Sequence, residues 1–186
     1  MKKFIITLFA LLFAQAVSAA TKQPNVIVVF IDDLGWTDLG CYGSKFYETP
    51  HIDQLAKQGV MFTRAYSSCN VCSPTRASLM TGKYPQRIGF TSWLNPNKPK
   101  GPNSAATYIP ADETTIGEAF QQAGYRTGYI GKWHVGSEKI GMPKQHGFDW
   151  QMASAKHGYP ASYFFPYKRN KPSTGDVPDL EDGKPG

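Results

Sequence analysis

NVIVVFIDD, residues 25–33, runs apolar from Val26 to Ile31 and stops at two acids, Asp32 and Asp33. Continuous apolar runs of this length characterise strands buried on both faces of a parallel sheet. The acids then fall at the strand's carboxyl end, the edge of an open α/β sheet where ligands bind. Downstream, TPHIDQLAKQGV (49–60) reads as a helix. Thr49 can cap it, Pro50 suits its first turn, Ile52, Leu55 and Ala56 share a face, and Gly59 can end it. GVMFTRAY (59–66) alternates like a strand. Thr115 and Glu118 have capping-box spacing ahead of Ile116, Ala119, Phe120 and Ala123, with Gly124 as the stop. YRTGYIGKWH (125–134) reads as a further strand delivering Lys132 and His134. Strand, helix and strand in alternation predict an α/β fold. NPNKPKGPNS (95–104) is a Pro/Gly/Asn loop, and no internal repeat interrupts the pattern.

At the amino end, Lys2 and Lys3 precede the apolar run Phe4–Phe13, and Val17-Ser18-Ala19 supplies small residues, so 1–19 is expected to be a cleaved signal peptide. The apolar run is too short for the roughly 20 residues of a membrane span, and no stable membrane insertion is expected. No cysteine occurs before Cys41, so nothing resembles a lipid-modified terminus. The expected location is periplasmic or secreted. Residues 20–186 then form one domain-sized segment of 167 residues, whose formal charge falls from +6 to +4 with loss of the two lysines. That mild excess would favour acidic substrates, but a solvated basic face is the preferred reading; no nucleic-acid partner is expected. An aromatic content of 13% argues for a packed protein over a disordered one. The ending STGDVPDLEDGKPG (173–186) reads as a loop cut open.

In NVCSPTRASLMTG (70–82), Ser73 can serve as an N-cap and Pro74 as the first helical residue, predicting a helix from Pro74 to about Met80 that ends near Gly82. Cys72 would then stand at a helix N-terminus that favours anions, with Arg76 on the first turn. Other readings of the cysteines compete. A redox Cys-x-x-Cys pair normally places its first cysteine at the helix start, whereas Cys69 lies upstream of it. A zinc site would need a second ligand pair, and none recurs. A Cys41–Cys69 disulfide remains open in an oxidising compartment and would leave Cys72 free. Asp32 and Asp33, taken alone, are either a solvated acidic turn or hard metal ligands. Lys132 and His134, each alone, fit an ordinary surface or core role.

Taken together these residues resemble a known family. Cys72-Ser73-Pro74-Thr75-Arg76 followed by Leu79-Met80-Thr81-Gly82 resembles the sulfatase signature Cys-x-Pro-x-Arg with its downstream Thr-Gly. The segment from Gly124 to His134, GYRTGYIGKWH, resembles the second sulfatase signature. With Asp32-Asp33 upstream, the likeness covers about Pro24 to Trp150. Asn70 departs from the small residue the family usually has there.

The resemblance implies an alkaline-phosphatase-like α/β fold with a mixed, mostly parallel sheet flanked by helices, incomplete at the C-terminus. It implies that Cys72 is oxidised to formylglycine by a formylglycine-generating or anaerobic sulfatase-maturating enzyme. Hydrated to a geminal diol, residue 72 would attack the sulfur of a sulfate monoester, and its second hydroxyl would then expel sulfate by C–O cleavage. Asp32, Asp33 and the modified Cys72 would ligate Ca²⁺, or Mg²⁺ as in some members. Lys132 would contact a sulfate oxygen, Arg76 the diol and metal region, and His134 the second diol hydroxyl. The substrates implied are sulfated carbohydrates or aryl sulfates. HGFD (146–149) resembles a common turn of the family and is expected to be structural, His51 is given no role at the site, and His157 could face the substrate.

Family members run to several hundred residues and carry further metal ligands, a second histidine and another lysine that cannot be located here. The chain is therefore expected to be the N-terminal part of a sulfatase domain, with doubtful activity alone and weak metal affinity. Two rival functions stay open: a phospho- or phosphonohydrolase of the same fold, and a catalytically dead binder of sulfated glycans in which Cys72 keeps its thiol.

Overall fold

The computed structural model describes residues 23–94, 106–136, 140–154, 157–160 and 162–164. The expected signal peptide (1–19), the 95–104 loop and the polar ending at 173–186 lie outside the described residues. The chain divides into two compact units, 1–55 and 56–186.

In the first unit, a short 3-10 turn over Gly40–Tyr42 is stapled by side chains from the start of helix α1 (Pro50–Gln58). Thr49 Oγ1 accepts from the Gly40 amide at 2.8 Å and donates to the Asp53 carboxylate at 2.9 Å. The same carboxylate accepts from the Cys41 amide at 2.7 Å. Thr49 thus spends its hydroxyl on a tertiary staple. The helix forms where expected, but its apolar face is not covered: Leu55 is 68% exposed.

Two expected strands are absent. Val26–Ile31 and residues 59–66 carry no sheet ladder, and Val26–Ile31 are 41–86% exposed. The reason is one of partnership. A strand exists only through hydrogen bonds to neighbours, and among the described residues the one ladder joins β1 (Gly128–Ile130) to β2 (Trp150–Met152) in parallel. Its register pairs Gly128 with Trp150, Tyr129 with Gln151 and Ile130 with Met152. Gly128 is required by contact: a Cβ there would lie 2.2 Å from the Trp150 ring.

The second unit holds the core. Ala77 and Met80 from helix α2 (Cys72–Thr81) meet Ile88, Phe90, Ile109, Trp133 and Val135. Helix α3 (Ile116–Gln122) has its capping box intact: Thr115 Oγ1 accepts from the Glu118 amide, and the Glu118 carboxylate accepts from the Thr115 amide at 2.7 Å. Its most buried residue is Gly117, pressed against the His146 carbonyl and Phe148, while Ala119 on the expected apolar face is exposed. Glycine here lets the helix approach the segment that carries the HGFD turn.

Candidate active site

Helix α2 begins at Cys72, two residues earlier than the cap-and-proline reading places it. Val71 occupies the N-cap position with no side-chain cap bond. Ser73 is instead helical and buried, and its hydroxyl accepts the Leu94 amide at 2.9 Å. Pro74 still falls in the first turn, where its missing N–H costs nothing. Thr75 Oγ1 donates to the Cys69 carbonyl at 2.8 Å, tying the preceding loop to the helix. Gly82 ends the helix in the left-handed region, as its position in the sequence implies.

Sixty-two residues later in the chain, His134 meets this helix start. Its Nδ1 lies 3.2 Å from Cys72 Sγ. Its Nε2 lies 3.3 Å from the Leu94 carbonyl, and the ring is almost wholly buried. The backbone at His134 is left-handed (φ 59°), a conformation uncommon for any residue with a side chain. Trp133 makes this turn affordable by anchoring it: its indole is fully buried and donates to the Gly141 carbonyl at 2.6 Å.

Arg76 and Lys132 are also brought together, though through the backbone. The buried Arg76 guanidinium donates to the Lys132 carbonyl and, at 3.3 Å, to the Tyr129 hydroxyl. Tyr129 in turn donates to the same carbonyl at 2.6 Å and stacks edge-on against Trp133. Arg76 therefore braces the segment that carries Lys132 and His134. The Lys132 side chain is half-buried.

Cys41, Cys69 and Cys72 are all free thiols, so the Cys41–Cys69 disulfide does not form here. In the first unit, Asp32 is half-buried and Asp33 exposed, with Asp33 in the left-handed region (φ 56°). Two adjacent carboxylates suit a hard cation such as Ca²⁺ or Mg²⁺, which takes six or more oxygens, and so fit as part of a shell. Among the described residues no three His, Cys, Asp or Glu side chains gather into a metal-holding group.

The HGFD turn has a structural setting. The Asp149 carboxylate accepts from the Thr127 amide at 2.8 Å and from Gln121 Nε2 at 3.0 Å, and these bonds hold its pKa below the ordinary carboxylate range. His146 is buried beside Trp133, with Nε2 lacking a hydrogen-bond partner among the described residues. Burial lowers its pKa, partly opposed by Glu118. His51 lies exposed on helix α1 and His157 is half-buried. Sequence reasoning missed Leu94, Tyr129 and the tertiary use of Ser73. Leu94 and Tyr129 look like ordinary apolar positions, and Ser73 looks like a cap.

The sequence matches the family model described as Sulfatase over residues 24–179. N-acetylgalactosamine-6-sulfatase of Homo sapiens is 39% identical over 152 residues, which cover 81% of this chain and 28% of that protein. Arylsulfatase A of Bos taurus is 43% identical over 133 residues, covering 70% of this chain and 25% of that protein. The crystal structure of PsFucS1 sulfatase from Pseudoalteromonas sp. superposes with a TM-score of 0.61 at 33% identity, covering 76% of this chain and 28% of that one. The chain thus spans less than a third of the length of these relatives. Its small parallel sheet flanked by helices is part of the alkaline-phosphatase-like α/β fold.

Proposed function

Because the chain belongs to the sulfatase family, we propose that the enzyme domain it contributes to hydrolyses sulfate monoesters of glycans or aryl alcohols, using a formylglycine made from Cys72. The observation that carries this reading is the pairing of Cys72 Sγ with His134 Nδ1 at 3.2 Å, which joins the two motifs at one point. In the working enzyme the oxygen-bearing side chain of residue 72 replaces the thiol, and it supplies a nucleophile that can be regenerated after sulfate leaves. Asp32 and Asp33, with residue 72, would hold a divalent cation, and such a cation would supply polarisation of the sulfate.

The chain's own residues then have distinct tasks. His134 Nδ1 accepts a hydrogen bond from a hydroxyl of residue 72 and takes its proton when sulfate is expelled. Lys132 places positive charge against a sulfate oxygen. Arg76 braces the backbone between them and adds charge toward residue 72. Ser73, Pro74 and Arg76 are buried, which supports modification of Cys72 by the maturating enzyme before the helix docks. The sugar-sulfatase and arylsulfatase names of the relatives support both substrate classes. An exported location, periplasmic or secreted, follows from the expected signal peptide. Among the described residues no helix is long and apolar enough to cross a membrane.

The test is intact-mass analysis of the tryptic peptide containing Cys72 from the native host, followed by sulfate-release assays on an aryl sulfate and a sulfated sugar. Conversion of thiol to aldehyde with sulfate release is expected. An unmodified thiol would favour the glycan-binding reading. No sulfate release, together with phosphate release from an aryl phosphate assayed in parallel, would favour the phosphohydrolase.

A further inference from the structure

Gly158 lies against the ring of His134, and no feature of the sequence marked it. A Cβ built at Gly158 would sit 2.8 Å from His134 Cε1, 3.2 Å from Nδ1 and 3.3 Å from Nε2. It would overlap the imidazole at Cε1. Any side chain at 158 must therefore shift either the ring or the segment that carries residue 158, because an approach under about 3 Å is not tolerated. Glycine is required here by proximity.

The opposite constraint comes from Leu94. A carbonyl oxygen can only accept, so its contact with Nε2 is a hydrogen bond only when Nε2 carries the proton. In the neutral ring, Nδ1 is then bare and its lone pair faces residue 72. Leu94 is itself fixed, since its amide donates to the buried Ser73 hydroxyl one residue from Cys72. Nucleophile position and imidazole are thereby tied to one peptide segment. The left-handed backbone of His134 is the conformation that presents its ring to this socket.

We propose that Leu94 and Gly158 are positioning residues that form a socket holding His134 in its Nε2–H tautomer, with Nδ1 aimed at residue 72. The catalytic significance of this socket rests on the role proposed for His134 above; the tautomer itself does not. Each acts through the imidazole of His134.

The test uses the 186-residue chain carrying Cys72→Ser, so that a hydroxyl faces Nδ1, with histidine labelled by nitrogen-15. Long-range proton–nitrogen spectra are recorded at about pH 8, above the usual imidazole pKa of about 6.5. The His134 signals are identified by their loss in His134→Gln. The expected spectrum has Nε2 protonated and Nδ1 bare. In Gly158→Ala this split pattern is lost and the two nitrogens move toward a common averaged shift. Ser73→Ala, which frees the Leu94 amide without crowding the ring, produces the same change in weaker form and decides the matter should Gly158→Ala not fold. A proton on Nδ1 in the parent chain, or an unchanged pattern in both folded variants, overturns the proposal. In the matured, longer enzyme, Gly158→Ala is expected to lower kcat by about 10- to 100-fold with KM little changed. The spectra do not depend on turnover. A confirmed tautomer with an unmodified Cys72 therefore sinks the hydrolase reading alone, and sulfate release with an unaltered tautomer sinks the socket alone.

Discussion

The Arg76 guanidinium donates to the carbonyl of Lys132, so the charged residue of the first motif supports the backbone of the second. The two segments are 56 residues apart in sequence and share a part-buried hydrogen-bond network with Tyr129. Removing Arg76 should therefore disturb more than charge. Arg76→Met is expected to destabilise the fold by about 1–3 kcal/mol, since the part-buried Lys132 carbonyl loses its charged donor and keeps only the Tyr129 hydroxyl. Arg76→Lys should recover only part of this, because an ammonium is a compact, strongly hydrated charge that is costlier to bury than a guanidinium. Urea unfolding of the three proteins checks the order, and equal midpoints would refute the bracing role.

Trp133 sits between the two residues whose positions matter most, and its side chain is fully buried. Trp133→Ala should cost about 3–5 kcal/mol through lost burial and the cavity left behind. Trp133→Phe keeps most of the volume but leaves the Gly141 carbonyl without its indole donor, so an intermediate loss is expected. Thermal unfolding distinguishes them, with the midpoint of the phenylalanine variant expected between the other two.

His146 makes stability depend on pH. Burial lowers its pKa in the folded state below the ordinary 6.5. The unfolded chain then binds a proton first as pH falls, so this contribution is full above about 6.5 and is lost as pH descends through the native value. His146→Leu should flatten the stability difference measured by urea unfolding between about pH 7.5 and 5.5. A slope as steep as that of the parent would show that other groups produce it.

Asp149 acts in a lower window. Hydrogen bonds from Thr127 and Gln121 depress its pKa below 3.8, so its contribution is complete above that value and disappears as pH falls further. Asp149→Asn keeps an acceptor for the Thr127 amide. It should remain folded at neutral pH while showing a weaker acid dependence below about pH 4 in circular-dichroism titration.

Cys72→Ser tests the chemistry in the matured enzyme. Serine can accept a sulfuryl group but has no second hydroxyl to expel it, so steady turnover should be lost while a single-turnover burst remains measurable. A variant that turns over at the parent rate would rule out a formylglycine mechanism.

Short-range features read correctly from the chain alone, because each involves partners within about one helical turn. The Thr115–Glu118 capping box and the Gly82 stop form as written. Resemblance to two family motifs singled out Cys72, Arg76, Lys132 and His134, and the fold brings Cys72 Sγ to His134 Nδ1 and the Arg76 guanidinium to the Lys132 carbonyl. Packing settled the remainder. Ser73, a good cap by composition, gives its hydroxyl to Leu94 because the helix begins earlier and buries it. Val26–Ile31 reads as a core strand yet has no ladder, because a strand is completed by neighbours that its own residues do not encode. Gly158 looked like one loop glycine among many until the fold set its α-carbon against the imidazole of His134. Contacts between distant segments depend on the summed packing of the whole unit, and no local pattern carries that information.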